Sequence, residues 1–366
     1  MKILALPNAL KGSLSARQAG QIFIRTLNRH TVRVWPICDG GDGLLDFFKT
    51  LDAHAQTFFV TAKNAFLKNK RVPFLLLSDG KTAVLETAKI CGLGGADKRE
   101  LDPLGASSYG VGQVLLAAVK RGAKTIYVGL GGVATNDGGA GMAVACGARL
   151  LDKKERPILP GAQALLKLNQ ADLSLLRKNF KGIKIVGIAD VTNPLLGPLG
   201  SARVFGPQKG ATAPQVKILE RALTTWANVL KKETGKEIAP VESAGAAGAI
   251  AAGLYGCFGA KLCLGAAELF KKANLEAQFK RADLIITCEG KLDKQTFYGK
   301  APGLVLQLAQ KHNKPVLFIC GQAETSVLRR KNLPSLQIAA LLDFAANEQD
   351  AKKHAANYLR RVCKSI

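Results

Sequence analysis

Short apolar segments alternate with longer amphipathic segments along most of this chain of 366 residues, and this alternation restricts the fold more than any other feature. The apolar segments resemble buried strands, and the amphipathic segments repeat apolar residues near the i, i+3, i+4 spacing of helices. The predicted strands span residues 2–6, 32–36, 56–60, 83–86, 125–129, 184–189, 283–287, 315–320 and 336–341. The predicted helices span residues 15–27, 109–120, 214–230 and 302–311. This order predicts an α/β fold with parallel sheets.

The length predicts two domains, because one ordinary domain has about 100–200 residues. Residues 59–81 break the alternation and read as short antiparallel strands or loop. The opening strand is fully apolar, as the C-terminal strands are, which is typical of central parallel strands. We therefore expect residues 1–60 and 240–366 to form one discontinuous domain, with residues 61–239 as an inserted α/β domain.

Eight cysteines occur without a C-x-x-C pair or zinc-site spacing, several of them in apolar surroundings. Reduced, buried cysteines are typical of cytoplasmic proteins, so we expect a cytoplasmic location and no structural zinc. The N-terminus has no apolar stretch long enough for a signal peptide. Residues 243–260 carry no charge, but their Ala and Gly content indicates close backbone packing and no membrane span.

A net charge of +25, from 52 basic and 27 acidic residues, raises nucleic acid as a partner. Its distribution favours another interpretation, because residues 127–148, 185–202 and 243–260 contain no Lys or Arg. Aromatic residues, at 6%, are too sparse to provide stacking platforms between the cations. We interpret the charge as a basic, solvated surface that attracts small anions, with a nucleic-acid-binding protein as the alternative.

A glycine-rich loop follows the predicted strand 125–129 and precedes an alanine-rich helix. Backbone N–H groups of such a loop can surround a phosphate closely. The candidate phosphate-binding residues of the loop are Gly131, Gly132, Thr135, Asn136, Gly138 and Gly139.

The same loop contains a G-x-G-x-x-A string, with Gly129, Gly131 and Ala134, and Asp152 lies about 20 residues further on. This string makes an NAD-dependent oxidoreductase an alternative function. Residues 135–138 read as loop, however, whereas the dinucleotide fingerprint requires a helix there.

Polar residues follow several other predicted strands, where ligands of open α/β sheets bind. Asp190 ends a buried strand and is a candidate for acid–base chemistry or for a metal ligand. The candidate cationic and polar residues in the strand-end loops are Lys11, Ser13, Asn193, Arg203, Gln208, Lys209 and Lys300. The candidate magnesium or water ligands are Asp39, Asp42, Asp137, Glu289 and Asp293. Together these loops predict magnesium-dependent chemistry on a phosphate-bearing substrate.

Six segments in order resemble a bacterial glycerate kinase of the type that phosphorylates the 2-hydroxyl of glycerate. They are MKILALPNALKGSLSA, PICDGGDG, GLGGVATNDGGAGMAVACGA, ADVTNPLLG with FGPQKGA, SAGAAGAIAAG and CEGKLDKQTFYGKAP. Asn8 stands where many members have Asp, so the resemblance assigns position 8 no catalytic role.

The resemblance implies one Rossmann-like domain and one flavodoxin-like domain, with ATP, Mg²⁺ and D-glycerate meeting in a cleft. Asp190 would orient or deprotonate the hydroxyl. Lys11 would be a second catalytic residue, whose positive charge binds carboxylate or phosphate oxygens. For partners we expect D-glycerate, no specific nucleic acid and no membrane, and we allow for a homodimer.

Overall fold

Thirteen strands and fourteen helices alternate in the part of the chain that the computed structural model describes, which is residues 1–94, 98–297, 300–324 and 335–366. The strands are β1 (Lys2–Pro7), β2 (Thr31–Val34), β3 (Gln56–Lys63), β4 (Asn69–Leu76), β5 (Thr82–Glu86), β6 (Thr125–Leu130), β7 (Arg149–Leu151), β8 (Gln170–Asp172), β9 (Lys184–Ala189), β10 (Lys261–Leu264), β11 (Leu284–Leu292), β12 (Val316–Ala323) and β13 (Leu336–Ala340). The helices are α1 (Ala16–Thr26), α2 (Leu44–Leu51), α3 (Thr87–Cys91), α4 (Tyr109–Lys120), α5 (Ala140–Ala145), α6 (Ser174–Asn179), α7 (Ser201–Phe205), α8 (Ala213–Thr234), α9 (Ile250–Phe258), α10 (Gly265–Lys272), α11 (Leu275–Arg281), α12 (Ala301–Lys311), α13 (Glu348–Lys353) and α14 (Ala355–Cys363). The predicted α/β class is confirmed.

The first of two compact units comprises Met1–Asp39, Asp46–Leu51 and Gly265–Ile366. Its five-stranded sheet has the order β13-β12-β11-β1-β2, and every pair is parallel. The interior position of β1 explains its apolar run from Ile3 to Pro7, because an interior parallel strand is covered on both faces. Ile3 and Ala5 belong to a buried cluster with residues of β11, β12, α1 and α14.

The second unit comprises Gly40–Leu45 and Asp52–Leu264. Its six-stranded sheet has the order β10-β9-β6-β5-β4-β3, in which β10, β9, β6 and β5 are parallel to one another. Strands β4 and β3 extend this sheet as an antiparallel hairpin. The antiparallel interpretation of residues 59–81 therefore holds for the part of that segment that lies in the hairpin.

Residues 240–264 belong to the second unit, although the sequence suggested that they join the opening strand. The physical reason is the pairing of β10 with β9, which no local pattern reveals. Helix α9 packs closely against the start of α5, where a Cβ on Gly253 would come within 3.0 Å of Gly139 Cα. Among the described residues, no helix is long and apolar enough to cross a membrane.

Helix boundaries follow local capping chemistry. Ser15 caps α1, because its hydroxyl accepts from the Gln18 N–H at 3.2 Å and the Gln18 side chain accepts from the Ser15 N–H at 2.9 Å. Helix α8 continues beyond its predicted end at Leu230 and stops at Gly235, whose φ is +71°. Because the last turn of α8 is polar, a prediction from apolar periodicity alone ends the helix one turn too early.

All eight cysteines are free thiols; seven are buried and Cys263 is half-buried. Burial raises the pKa of Cys91 to about 12 and that of Cys257 to about 12. A thiol with such a pKa stays protonated near neutral pH and is a poor nucleophile, so these cysteines serve as small apolar residues of the core.

Candidate functional site

In the first unit, a buried carboxylate lies near the carboxyl end of β11. Glu289 is 7% exposed and accepts a hydrogen bond from the Thr296 hydroxyl at 2.5 Å. Burial raises the pKa of Glu289 to about 7, and the negative charges of Asp39 and Asp293 act in the same direction. The cationic Lys300 opposes this shift. Three of the predicted carboxylates and one predicted lysine are therefore close enough within the first unit to interact electrostatically.

Asp39 follows the end of β2 and connects two loops of the first unit. Its Oδ1 accepts from the N–H of Ala301 at 2.6 Å, and its Oδ2 accepts from the Asn8 side-chain amide at 3.3 Å. Ala301 is the first residue of α12, so Asp39 lies at the positive end of that helix. Lys300 precedes it as the N-cap residue. Asp39 thereby fixes the backbone that carries Lys300.

Lys11 and Ser13 lie in the tight loop after β1, which a pair of backbone hydrogen bonds between Leu10 and Leu14 closes. Lys11 is exposed, and the hydroxyl oxygen of Ser13 is buried without a hydrogen-bond partner among the described residues. A Cβ on Gly290 would stand 3.1 Å from the Lys11 backbone nitrogen, so this glycine lets β11 approach the loop. Two further residues of the predicted motif, Tyr298 and Gly299, lie outside the described residues.

In the second unit, three neighbouring parallel strands bring polar groups to one edge of the sheet. Glu86 ends β5 in register with Gly129 of β6, and Ala189 of β9 is in register with Leu130. Asp190 follows directly and is exposed at this edge. Its exposure leaves it accessible to a substrate.

Thr87 holds the glycine-rich turn at the end of β6. Its buried hydroxyl donates to the Gly129 carbonyl oxygen at 2.8 Å and lies 3.3 Å from the Gly131 N–H, which donates to it. Gly132 is exposed and has a φ of +62°, a conformation that glycine adopts without strain. Gly132 therefore presents backbone to solvent at the strand edge, whereas Gly131 is half-buried and bonded to Thr87.

The following segment, from Thr135 to Gly139, is buried. The carboxylate of Asp137 is fully buried and accepts from the backbone N–H groups of Ser108, Gly139 and Gly141 and from the hydroxyls of Ser107 and Ser108. Burial raises the pKa of Asp137, and these hydrogen bonds oppose the shift. Asp137 joins the start of α4 to the start of α5, and in this structure its carboxylate accepts hydrogen bonds from within the fold.

Lys209 is also buried, at 2% exposure, in the turn Pro207–Lys209. Its Nζ donates to the Thr135 carbonyl oxygen at 2.7 Å and to Asn136 Oδ1 at 3.1 Å. Burial lowers the pKa of Lys209 to about 7. A Cβ on Gly248 would stand 2.8 Å from this Nζ. Lys209 therefore joins three loops, and in this structure its ammonium group contacts oxygens of the protein itself.

The remaining predicted residues follow β9. Asn193 donates from its side-chain amide to the Leu199 carbonyl oxygen at 2.8 Å, which shapes the loop. Arg203 is exposed and lies 3.7 Å from the Glu220 carboxylate. Gln208 is exposed. The geometry leaves the side chains of Arg203 and Gln208 accessible and uses that of Asn193 within the loop.

Glu86 is a residue that sequence reasoning missed. It is 1% exposed, and its Oε1 accepts from the N–H of Leu45 at 2.8 Å, at the start of α2. Lys89 lies 4.0 Å from the other oxygen of Glu86 and 3.0 Å from Asp42. The signal available in the sequence was its place at the end of a predicted strand, the same criterion that selected Asp190.

The comparison with known proteins covers almost the whole chain. A model of the glycerate kinase family matches residues 3–366. The chain belongs to the glycerate kinase family. It is 38% identical to the glycerate kinase of Halalkalibacterium halodurans over 87% of this chain and 85% of the relative. It is 37% identical to the glycerate 2-kinase of Escherichia coli (strain K12) over 89% of this chain and 87% of the relative.

The fold of this family member also matches a crystal structure described as glycerate kinase 2 from Salmonella typhimurium LT2. The TM-score is 0.81 at 32% identity, covering 100% of this chain and 96% of the other. Neither alternative function is supported. The G-x-G-x-x-A string does not open a helix, because α5 begins only at Ala140.

Proposed function

We propose that this member of the glycerate kinase family transfers the γ-phosphoryl group of ATP to the 2-hydroxyl of D-glycerate, giving 2-phosphoglycerate and ADP. The observation that carries the proposal is the family match over residues 3–366. The name of the Escherichia coli relative, glycerate 2-kinase, supports the 2-hydroxyl as acceptor.

Asp190 is the residue proposed to orient the acceptor hydroxyl and to take its proton. Its support is an exposed position directly after β9, at the carboxyl edge where parallel sheets bind ligands. In the transfer, the hydroxyl oxygen forms a bond to the γ-phosphorus and the bond from that phosphorus to the bridging oxygen of ADP breaks. The hydroxyl proton passes to the carboxylate, so that charge and atoms balance.

The proposed phosphate contacts come from the turn at Gly131 and Gly132 in the second unit, because Gly132 is exposed and Gly131 half-buried while residues 135–139 are buried. Arg203 and Gln208 are accessible for the substrate carboxylate or for phosphate oxygens. In the first unit, Lys11 and Lys300 supply positive charge at strand ends. Neutralising the phosphate oxygens is most of what such a reaction requires of a protein.

Mg²⁺ fits the carboxylates of the first unit in part. Glu289 has a pKa of about 7 because of burial and of the charges of Asp39 and Asp293, and a bound cation would favour its ionised form. Both oxygens of Asp39 already accept hydrogen bonds, Asp42 pairs with Lys89, and Asp137 is buried. Glu289 and Asp293 are thus the residues proposed to hold the metal.

No group of three acidic, His or Cys residues close enough to hold a metal ion occurs within the described ranges. Mg²⁺ is commonly held by one or two carboxylates and by substrate phosphates, so a pair is compatible with the proposal. When bound, the metal would neutralise charge on the phosphates.

The direct test incubates the protein with MgATP and D-glycerate and follows ADP release and the product by phosphorus NMR. We expect ADP release that depends on glycerate and a resonance of 2-phosphoglycerate. Release no faster than in a glycerate-free control would contradict the proposed function. A product that is entirely 3-phosphoglycerate would contradict only the choice of hydroxyl.

We further propose that the enzyme acts in the cytoplasm, which its seven buried free thiols support. Fractionation of the source cells tests this, and recovery outside the cytoplasm would contradict it.

A further inference from the structure

The segment Gly40–Leu45 of the second unit lies across the ends of two interior strands, β6 and β9. The Gly40 carbonyl oxygen accepts from the N–H of Leu130, at the end of β6, at 3.1 Å. A Cβ on Gly129 would come within 2.9 Å of the same oxygen. A Cβ on Gly40 would stand 3.1 Å from the Ile188 carbonyl oxygen of β9. Glycine at these positions therefore allows backbone to pack directly on backbone.

The same segment contacts the turn that is proposed to bind phosphate. A Cβ on Gly41 would stand 3.5 Å from Gly131 Cα, and a Cβ on Gly131 would stand 3.3 Å from Gly41 Cα. The two glycine-rich loops therefore meet at these two residues, both of which belong to the second unit. Gly132, the exposed residue of the turn, follows directly. The position of the segment thus limits the conformations that are open to the turn.

A buried carboxylate holds the segment at its C-terminal end. Glu86 ends β5, is buried, and accepts through Oε1 from the N–H of Leu45 at 2.8 Å. Leu45 is the second residue of α2, and the positive end of a helix favours a negative charge there. Lys89 lies 3.0 Å from Asp42 of the segment and 4.0 Å from Glu86 Oε2. This exposed ion pair is a second and weaker connection to the same segment.

The residue after Glu86 holds the turn itself. The Thr87 hydroxyl donates to the Gly129 carbonyl oxygen and accepts from the Gly131 N–H. Two consecutive side chains at the end of β5 therefore fix the two loops that meet at Gly41 and Gly131. Thr87 acts on the turn directly, whereas Glu86 acts on it through the segment.

We propose that Glu86 is a positioning residue for phosphate binding, because its carboxylate holds the segment Gly40–Leu45 in place beside the turn at Gly131 and Gly132. The inference rests on the proposed function, which assigns phosphate contacts to this turn. Removal of the carboxylate takes a buried acceptor from the Leu45 N–H, which is costly. The segment would then move away from the turn, and the turn would lose the conformation that binds phosphate.

The test measures binding of MgATP in the absence of glycerate by isothermal titration calorimetry, well below the melting temperature of each variant. Glu86→Ala should weaken binding about tenfold. Glu86→Gln keeps an acceptor for the Leu45 N–H and should bind within about twofold of the wild type. Glu86→Asp shortens the side chain and should also weaken binding, so it replaces Glu86→Ala if that variant does not fold.

Asp172→Ala is the matched control. Asp172 is a carboxylate of the second unit that also accepts from a backbone N–H at the start of a helix, that of Ser174 in α6, at 3.0 Å. It lies in the separate two-stranded sheet of β7 and β8. This variant loses a comparable hydrogen bond and should bind MgATP as the wild type does.

Hydrogen exchange provides an independent measurement of where the segment lies. The Leu130 N–H donates to the Gly40 carbonyl oxygen, so its protection depends on the position of the segment. The peptide that contains Leu130 and Gly131 should exchange faster in Glu86→Ala than in the wild type. Its exchange should be unchanged in Glu86→Gln and in Asp172→Ala. Thermal melts establish that each variant is folded.

Wild-type affinity for MgATP in folded Glu86→Ala would overturn the role of Glu86 and leave the proposed function intact. An equal loss of affinity in Asp172→Ala would show a general effect of destabilisation and would also overturn it. An equal loss in Glu86→Gln would contradict the role of Glu86 as an acceptor. Failure of the wild type to bind MgATP would contradict the proposed function, and this inference with it.

Discussion

Asp39 and Asp137 each begin a D-G-G-x-G string, yet the structure holds their carboxylates in different ways. Asp137 is fully buried and accepts five hydrogen bonds from residues at the starts of α4 and α5. Asp39 is half-buried and accepts two, one of them from the start of α12. The second string lies within one unit, and the first crosses the boundary between Asp39 and Gly40.

One short string can therefore serve either the fold or the site. A carboxylate with five donors has no acceptor capacity to spare for a ligand, whereas an exposed or lightly bonded one has. Among these carboxylates, Asp190 is the most exposed to solvent and Asp137 is fully buried with five donors. Asp39 and Glu289 lie between them. Variants of these four carboxylates should separate loss of activity from loss of stability.

The largest effect is expected for Asp190→Asn. If this exposed carboxylate takes the proton of the hydroxyl, kcat should fall about 10²- to 10⁴-fold, and kcat/KM should fall with it. The melting temperature should not change, because the side chain is exposed. Steady-state kinetics and a thermal melt check both. Glu237→Gln, an exposed carboxylate paired with Lys231, is the matched control and should keep wild-type kinetics. Wild-type kcat in Asp190→Asn would remove Asp190 from the mechanism.

Asp137→Ala should instead destabilise the fold by about 3 kcal/mol, because it leaves buried N–H and hydroxyl donors without an acceptor. Urea unfolding followed by circular dichroism measures the free energy of unfolding. An unchanged midpoint would show that Asp137 does not hold α4 and α5 together, and the contrast with Asp39 would then fail.

Glu289→Gln should change how stability depends on pH. The pKa of Glu289 is raised from its ordinary 4.5 to about 7, so the folded state binds more protons than the unfolded state between these values. Stability from this group therefore falls as pH rises from 4.5 to 7, and the loss is complete above 7. In EDTA, the free energy of unfolding of the variant should exceed that of the wild type by about 2 kcal/mol at pH 8 and by much less at pH 5.

Glu276→Gln is the control for this measurement. Hydrogen bonds from Lys311 and His312 lower the pKa of Glu276, so its contribution is present above 4.5 and is lost as pH falls. The two variants should consequently show pH dependences of opposite sign. A pH profile of Glu289→Gln that runs parallel to the wild-type profile would contradict the raised pKa.

Asp39→Ala should have the smallest effect on stability, about 1 kcal/mol, the usual cost of losing an acceptor at a helix N-terminus. The same urea measurement applies, with Asp137→Ala as its counterpart. A loss as large as that of Asp137→Ala would show that two hydrogen bonds at a half-buried carboxylate matter as much as five at a buried one.

The sequence predicted those parts of the fold that depend on local periodicity. Strand Lys184–Ala189 and helix Tyr109–Lys120 have the bounds that their apolar patterns indicate. The sequence suggested that residues 240–264 join the opening strand, whereas β10 pairs with β9 in the second unit. Such a pairing between distant segments leaves no local signal in the sequence.

For the candidate site, the rule that ligands bind at strand ends placed Asp190 at an accessible edge. It could not distinguish Asp137 and Lys209 from exposed residues, because their burial comes from helices and loops far along the chain. Glu86 was missed because nothing in the sequence shows that its carboxylate accepts from the N–H of Leu45, 41 residues away.

The buried thiols of this protein can report when each part of the structure unfolds. Cys38, Cys288, Cys320 and Cys363 lie in the first unit, and Cys91, Cys146 and Cys257 lie in the second. A thiol reagent added to the native protein should modify Cys263 first, and each remaining cysteine should react only when the structure around it opens. Mass spectrometry of digests taken at intervals would then give the rate of opening of each unit separately, without any amino-acid substitution.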